Sequence, residues 1–283
     1  MIGETLAVLT AVMWAASTVL SAESLKRVDP VRSNAIKTFF SALIMFPVAL
    51  AAGELSNPLH VNLEALLFVI LAAIIGFGCG DTLLYKSILL IGVSRAYTIA
   101  YTYPLFTMII GVLCLKEPFL SRHLVGTILT VLGVILISSE NKKSSGGISP
   151  KGFSMALATS LSWAVGTVLL ALGLRGISVL SANAVRYPIL TLFLFLISQP
   201  RKKWEIGSKD LFILLASGVL GMVMGGVAFL YSVQLIGASR ATPLSASSPV
   251  WASLISSIAL KERVTARLLL SSIIVVTGIY FLI

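Results

Sequence analysis

The stretch Ile91-Gly92-Val93-Ser94-Arg95-Ala96 returns later in the chain as Ile236-Gly237-Ala238-Ser239-Arg240-Ala241. The two hexapeptides differ at one position, and each stands between two long apolar stretches. We interpret them as two copies of one helix-to-helix turn, produced by a tandem duplication. The sequence on either side of them therefore decides the fold.

Further matches occur in the same order in both halves of the chain. Trp14-Ala15 corresponds to Trp163-Ala164, and Asn34-Ala35-Ile36-Lys37 corresponds to Asn183-Ala184-Val185-Arg186. After one shift of register, the remaining pairs are Gly76 and Gly221, Gly80 and Gly225, Pro104 and Pro249, and Leu115-Lys116-Glu117 and Leu260-Lys261-Glu262. These matches predict two repeats, 1–140 and 152–283. The linker between them, 141–151, begins with Asn, Lys, Ser and Gly residues typical of a flexible connector.

The composition predicts an all-α integral membrane protein. Hydrophobic residues make up 57% of the chain and charged residues only 11%. In soluble domains, roughly a quarter of all residues are charged. A membrane-spanning helix needs about 20 apolar residues. By that measure the sequence predicts ten transmembrane helices, at 4–22, 33–53, 63–91, 94–115, 120–138, 152–173, 180–198, 209–236, 239–260 and 264–283.

An odd number of spans in each half predicts an inverted repeat, because the second copy enters the membrane from the opposite side. Inverted repeats recur in secondary transporters, where the substrate site lies at the repeat interface near the bilayer midplane. Lysine and arginine are concentrated in the loops that follow odd-numbered spans. Cytoplasmic loops carry this excess, so both termini are predicted to lie outside.

Several other classes of protein do not fit the sequence. The net charge of +10 comes mainly from loops between apolar runs rather than from a basic patch suited to nucleic acid. Cys79 and Cys114 lie inside apolar runs, and His60 and His123 lie beside loops, so no metal site, cofactor or disulfide framework is expected. The sequence has neither a P-loop nor a nucleophile–base constellation, which argues against an ATPase and against an enzyme.

Charged residues inside apolar spans are costly and need a reason. Lys37 and Arg186 occupy equivalent places in the two repeats. They are candidate cationic contacts at the two mouths of a central cavity, where they would attract carboxylates; the alternative is that both snorkel to nearby headgroups.

Asp81 lies deeper than these cations, with Tyr85 one turn further along the helix, and its counterpart in the second repeat is Gly226. An intramembrane carboxylate can carry a proton, which makes protons a candidate coupling ion. Asp81 is equally a candidate counter-ion to Lys37 or Lys86. The glycines at 76, 80, 221 and 225 are four residues apart in each helix, a spacing that favours close helix packing.

The fourth span of each half is unusually polar for a helix in lipid. Pro104 and Pro249 remove a backbone donor and predict a break in each helix, and freed backbone is tolerated where it lines a cavity. Candidate wall residues are Tyr97, Tyr101, Thr242 and Ser245. The alternative for the hydroxyl groups is a bond to their own helix.

Trp14 and Trp163 lie near the middle of their spans. Each would stack on a substrate if it faced a cavity, or pack against a neighbour if it did not. Asn34 and Asn183 lie nearer the membrane edge, where they are predicted to cap their helices.

The two five-helix repeats, the early Trp of each, Pro104 and Pro249, and the paired Leu-Lys-Glu ends resemble the EamA family of the drug/metabolite transporter superfamily. This resemblance covers nearly the whole chain. It implies a ten-helix exporter or exchanger in the cell membrane for amino acids or other small metabolites. It also implies termini in the cytoplasm, against the charge count. A small-molecule channel or a lipid scramblase is the alternative function.

Overall fold

The computed structural model describes residues 1–22, 24, 27–54, 62–91, 93–138, 149–198, 206–259 and 265–283. In these ranges every regular element is a helix. The predicted linker lies outside the described residues except at 149–151, and so does the second Leu-Lys-Glu motif at 260–262.

The N-terminal half contains seven α-helices and two π-helical segments among the residues described. They are α1 Ile2–Ser21, α2 Pro30–Ala51, α3 Leu63–Ala72, π1 Ala73–Cys79, α4 Gly80–Ile91, α5 Val93–Ala100, α6 Tyr103–Ile110, π2 Gly111–Leu115 and α7 Ser121–Ser138. In the C-terminal half the helices are α8 Pro150–Gly173, α9 Val179–Ile197, α10 Ser208–Gly218, π3 Val219–Met224, α11 Gly225–Ile236, α12 Ala238–Ser245, α13 Ser248–Ala259 and α14 Ala266–Leu282.

In the described part of the chain, seven helical stretches are long and apolar enough to cross a membrane. They are Ile2–Ser21, Pro30–Ala51, Leu63–Ile91, Arg95–Leu115, Pro150–Gly173, Val179–Ile197 and Ser208–Ile236. Ser121–Leu136 and Ala266–Leu282 are apolar but shorter. The chain is therefore a multi-pass membrane protein, and the count of ten crossings stays a prediction.

The starts of α2 and α9 are fixed by polar caps other than the predicted ones. Asp29 accepts hydrogen bonds from the backbone N–H groups of Val31 and Arg32, and the Ser178 hydroxyl accepts one from Ser181 N–H. The prediction that Asn34 and Asn183 cap these helices is wrong, because both lie a full turn inside them.

Helix α1 packs antiparallel to the continuous helix α10–π3–α11. Near the start of α1, Gly3 O accepts a hydrogen bond of 2.8 Å from Ser232 Oγ, which lies late in α11. Near its end, Ser17 Oγ donates to Ser217 O in α10, also at 2.8 Å. The first helix of one half is thus fixed to the third helical stretch of the other.

Helix α8 repeats this arrangement against α3–π1–α4. Ser87 Oγ donates to Gly152 O at 2.8 Å, and further along the pair Gly166 meets Gly76. A Cβ atom on Gly166 would lie only 2.6 Å from Gly76 Cα, so the two backbones touch directly. The predicted packing role of Gly76 is consistent with this contact.

The equivalent helices α2 and α9 also pack antiparallel. Glu54, just after α2, accepts a hydrogen bond from Ser178 at the start of α9. Ala35, early in α2, packs in one cluster with Leu190 and Leu194, which lie late in α9.

Helices α7 and α14 form a second pair of equivalent helices that run in opposite directions. Gly126, early in α7, faces Gly278 late in α14, and Gly133 faces Val275 one to two turns away. In both of these pairs, the equivalent helices run in opposite directions.

The second hexapeptide is a helix-to-helix turn, as predicted. Gly237 has φ of +81° between α11 and α12. Glu117 from the first Leu-Lys-Glu motif accepts hydrogen bonds from Ala238 N–H at 2.7 Å and Ser239 N–H at 2.8 Å. The carboxylate lies at the positive end of the α12 helix dipole. The first Leu-Lys-Glu motif and the second hexapeptide thus stabilise each other, which is one physical reason for their presence in the chain. Gly92 of the first hexapeptide lies outside the described residues.

Candidate functional site

A cavity of about 260 Å³ lies between the two halves of the chain. Residues from both halves line it, and most of the lining is aromatic or small. The aromatic side chains are Trp14, Phe77, Tyr85, Tyr97, Tyr101, Tyr103, Trp163, Tyr187 and Phe229. The charged side chains in the lining are Lys37, Asp81 and Arg186. This volume is just below the range of about 300–1,000 Å³ for typical ligand sites, so the cavity suits a small molecule.

Asp81 is the second residue of α4, directly after the π-helical segment π1. Its carboxylate accepts a hydrogen bond of 2.9 Å from Trp163 Nε1 and one of 3.0 Å from Asn34 Nδ2. Trp163 comes from the other half of the chain, so this acid joins the two halves. Two donors compensate a carboxylate for the water that it loses in the cavity wall.

Lys37 follows Asn34 by one turn of α2 and also lines the cavity. Its ammonium group interacts electrostatically with Asp81. Lys86, the other candidate partner, is exposed. Among the residues described, no hydrogen bond or close ion pair holds the Lys37 ammonium group. Of the two candidate counter-ions, Lys37 is the one that lines the same cavity as Asp81.

Arg186 is only 4% exposed and lies under the cavity wall. Its Nη2 donates to the Tyr187 hydroxyl at 3.0 Å, and its guanidinium lies 4.8 Å from the centre of the Tyr187 ring and 5.7 Å from that of Phe77. The Nε atom is buried without a partner. The snorkelling alternative is wrong for this residue, because aromatic side chains rather than the membrane edge surround its charged group. Arg186 also does not stand at an exposed mouth.

One wall of the cavity is a cluster of aromatic rings. The Tyr97 and Tyr101 rings lie next to each other, with ring centroids 5.7 Å apart. Tyr101 and Tyr103 each meet Trp163 edge to face, at 5.9 and 5.4 Å. Such edge-to-face contacts add about 0.5–1.5 kcal/mol beyond area burial, so this wall is held in place by its own packing.

Trp14 lies at the equivalent place on the other side of the cavity. Its ring packs against Phe229 at 5.2 Å, and its Nε1 donates to Gly221 O at 3.0 Å. Trp14 and Trp163 therefore both face the cavity and also pack against neighbours, so the two predicted alternatives are not exclusive.

The fourth helical stretch of each half breaks at matching places. Helix α5 ends at Ala100 and α6 begins at Tyr103, directly before Pro104; α12 ends at Ser245 and α13 begins at Ser248, directly before Pro249. The Tyr101 and Ser248 hydroxyl groups, one from each break, lie 3.4 Å apart. The two breaks thus meet at the cavity.

Two predicted wall residues do not line the cavity. Thr242 and Ser245 are fully buried inside the protein. The Ser245 hydroxyl donates to Thr242 O at 3.0 Å, so the alternative of a bond to its own helix is correct here. Every residue of α12 except Arg240 is buried, so which of its side chains reach the cavity depends on tertiary packing.

The sequence prediction missed several residues that the fold brings to this site. Asn34 holds Asp81, Tyr103 packs on Trp163, Tyr187 holds Arg186, and Ser248 faces Tyr101. Asn34 and Tyr187 each lie within one turn of a cation that was already a candidate. This position is the sequence signal that could have identified them.

Comparisons with known proteins agree with this architecture. A model of the family described as "EamA-like transporter family" matches residues 1–139 and 150–283. An "Uncharacterized transporter" of Archaeoglobus fulgidus is 24% identical over 96% of this chain and 94% of its own length. "Uncharacterized transporter YoaV" of Bacillus subtilis is 20% identical over 95% and 92%. A solved structure titled "Crystal structure of protein" has a TM-score of 0.79 at 18% identity, covering 98% of this chain and 95% of its own, which shows the fold alone.

Proposed function

Because the chain belongs to the EamA-like transporter family, we propose that it is a secondary carrier for a small metabolite that bears a carboxylate. An amino acid or a related acid is the proposed substrate, moved out of the cell or exchanged across the cell membrane. The observation that carries this proposal is a cavity that Lys37, Asp81 and Arg186 line together with aromatic side chains from both halves. Cations select the acid group, and the aromatic wall accommodates an apolar body.

Alternating access is the proposed mechanism, with 1–140 and 152–283 as inverted five-helix repeats joined by the linker 141–151. The opposite directions of α2 and α9, and of α7 and α14, support this proposal. A pseudo-two-fold axis in the membrane plane would place the cavity between the repeats, where rocking exposes it to each side in turn.

Counterflow in proteoliposomes tests the carrier proposal. Vesicles loaded with a millimolar mixture of amino acids or organic acids should accumulate a labelled trace of the same compound, because a carrier exchanges one molecule for another. A channel or a scramblase gives no such accumulation. Leakage of the label at the same rate from loaded and empty vesicles would reject the carrier.

Protons are the proposed coupling ion, with Asp81 as the group that takes them up. Asp81 supports this role because it faces the cavity and contacts both halves. An imposed pH gradient should drive uptake by the wild type, whereas Asp81→Asn should retain exchange of equal concentrations at a reduced rate and lose the response to the gradient. An unchanged response in this variant would exclude Asp81 as the coupling group.

A further inference from the structure

The two halves place different groups at equivalent positions of the cavity. In the N-terminal half the cation Lys37 is accompanied by the acid Asp81; in the C-terminal half the cation is Arg186, and the residue equivalent to Asp81 is Gly226. One half thus supplies its own carboxylate and the other does not.

A glycine and a tryptophan are matched beside these two positions. Gly80, directly before Asp81, lies against the Trp163 indole, where an added Cβ would be 2.8 Å from the ring. Gly225, directly before Gly226, lies against the Trp14 indole at 3.0 Å. Each tryptophan therefore faces the same point of the equivalent helix, but an acid follows that point in only one half.

Because Gly226 has no carboxylate, the hydrogen-bond donors near it have different partners from the donors near Asp81. Trp163 Nε1 donates to the Asp81 carboxylate, but Trp14 Nε1 turns to the backbone oxygen of Gly221. In the described part of the chain no acidic side chain pairs with Arg186, and its Nε has no partner at all. A buried guanidinium without an anion is costly, so an anion that occupies this position gains a charge-assisted hydrogen bond.

Gly226 leaves the space for such an anion. A Cβ atom there would lie 3.0 Å from Arg186 Nη2 and would press on the Tyr187 hydroxyl. A side chain at this position would fill the approach to the guanidinium, whereas glycine keeps it open to the cavity that both residues line.

We propose that the carboxylate of the substrate binds Arg186 beside Gly226, in the position that the Asp81 side chain fills in the other half. This inference rests on the proposed function and assigns its anion subsite. With Lys37 and Asp81 offsetting each other, Arg186 gives the lining one net positive charge among the residues described. The bound carboxylate neutralises it, so the substrate class is a molecule with one carboxylate.

Matched sets of small probes test this assignment on the purified protein in detergent. Leucine, leucinamide and 4-methylpentanoate share one side chain, but leucinamide lacks the carboxylate and 4-methylpentanoate lacks the amine. Phenylalanine, phenylalaninamide and 3-phenylpropionate form a larger set. Equilibrium binding gives, for each set, the ratio of the affinity of the carboxylates to that of the amide. We expect a ratio of about 10 to 100 for the wild type.

The matched variants are Arg186→Gln and Lys37→Gln, which remove one cation from each half. Arg186→Gln should reduce the ratio to about 1, whereas Lys37→Gln should keep a preference for the carboxylate even where the affinity falls. As an independent variant, Gly226→Asp should also bring the ratio to about 1, because its own carboxylate then occupies the subsite. Melting temperatures without probe establish that each variant is folded, and Gly226→Asp decides if Arg186→Gln does not fold.

The outcomes separate the two proposals. Loss of the ratio in Lys37→Gln but not in Arg186→Gln would overturn this subsite and leave a carboxylate carrier standing. So would wild-type binding in Gly226→Asp. If the amides bind the wild type as well as the carboxylates do, or if no probe binds it, both the subsite and the proposed substrate class are wrong.

Discussion

Asp81 has three partners of different kinds: an indole N–H, an amide N–H and the nearby Lys37 ammonium. None of these partners is near Asp81 in sequence. The acid is stable in an apolar helix because the fold supplies both hydrogen bonds and an opposite charge. Asp81 and Lys37 should therefore behave as one unit.

A double-mutant cycle tests whether Asp81 and Lys37 stabilise each other. Asp81→Asn and Lys37→Met should each lower the free energy of unfolding, because each leaves the other charge in the cavity without its partner. The double variant should lose less than the sum of the two, with a coupling energy of about 0.5–3 kcal/mol. Reversible denaturation in detergent measures all three, with Lys86→Met on the exposed face of α4 as the control. Additive losses would show that the two charges do not interact.

Residue chemistry in the sequence identified much of this cavity, since a charge in an apolar span is costly and rarely incidental. Lys37, Asp81 and Arg186 could be selected on that ground alone, and all three line the cavity. Hydroxyl groups carry no such signal. Ser245 is as polar as Ser248, but only Ser248 lines the cavity, because the direction of each side chain depends on how the broken helix packs.

At the scale of elements, glycine sets how closely helices approach. Gly166 of α8 and Gly76 of π1 touch backbone to backbone. The apolar run 63–91 predicts one straight helix, but the structure inserts π1 within it, and π3 lies at the equivalent place in the other half. Hydrophobic periodicity cannot reveal such a segment, because the additional residue in its turn is accommodated by contacts with other helices.

Gly166→Ala tests this contact, because helix propensity and the contact predict changes of opposite sign in the free energy of unfolding. In an isolated helix, alanine is favoured over glycine by about 0.5–1 kcal/mol. Here the added Cβ would lie 2.6 Å from Gly76 Cα, and backbone cannot move aside as a side chain can. We expect the free energy of unfolding to fall by about 1–3 kcal/mol, measured in detergent.

The matched control for this prediction is Gly207→Ser. Nothing lies within 4 Å of a Cβ at Gly207, which caps α10, and serine is a good capping residue. This variant should unfold at or above the wild-type denaturant concentration. A stabilised Gly166→Ala would mean that helix propensity outweighs the contact, and that α8 and π1 are free to separate.

At the scale of the whole molecule, both termini lie at one end. Arg240 Nη2 donates to Glu4 Oε1 near the N-terminus at 2.7 Å and to Leu282 O near the C-terminus at 2.9 Å. This placement is consistent with the predicted even number of membrane crossings. Because lysine and arginine are concentrated in the loops on the opposite side, we propose that this end faces outward.

An epitope tag added before Met1 tests the orientation. Protease applied to intact cells should remove the tag, because it is exposed outside. A tag on the loop between α1 and α2 should survive until the cells are lysed and provides the control. Protection of the N-terminal tag in intact cells would reverse the orientation without changing the fold.

At the same end, the Glu117 carboxylate from one half accepts hydrogen bonds from the first N–H groups of α12 in the other. In alternating access, a contact between the halves at one end must break when the cavity opens there. Glu117→Gln removes the charge but retains one acceptor oxygen, so it should weaken closure by about 1–2 kcal/mol. The open population should then rise about 5–30-fold.

Cysteine labelling measures this shift. Ser248→Cys places a thiol in the cavity lining, in a background where Cys79 and Cys114 are replaced by alanine. A membrane-impermeant maleimide added outside should label this thiol several-fold faster with Glu117→Gln, whereas Glu64→Gln, an exposed acid at the start of α3, should leave the rate unchanged. Slower labelling would mean that Glu117 holds the open state, and equal rates in both variants would mean that Glu117 only caps α12. Only a faster rate would show that the contact between the Leu-Lys-Glu motif and the hexapeptide controls the opening of the cavity in addition to stabilising the fold.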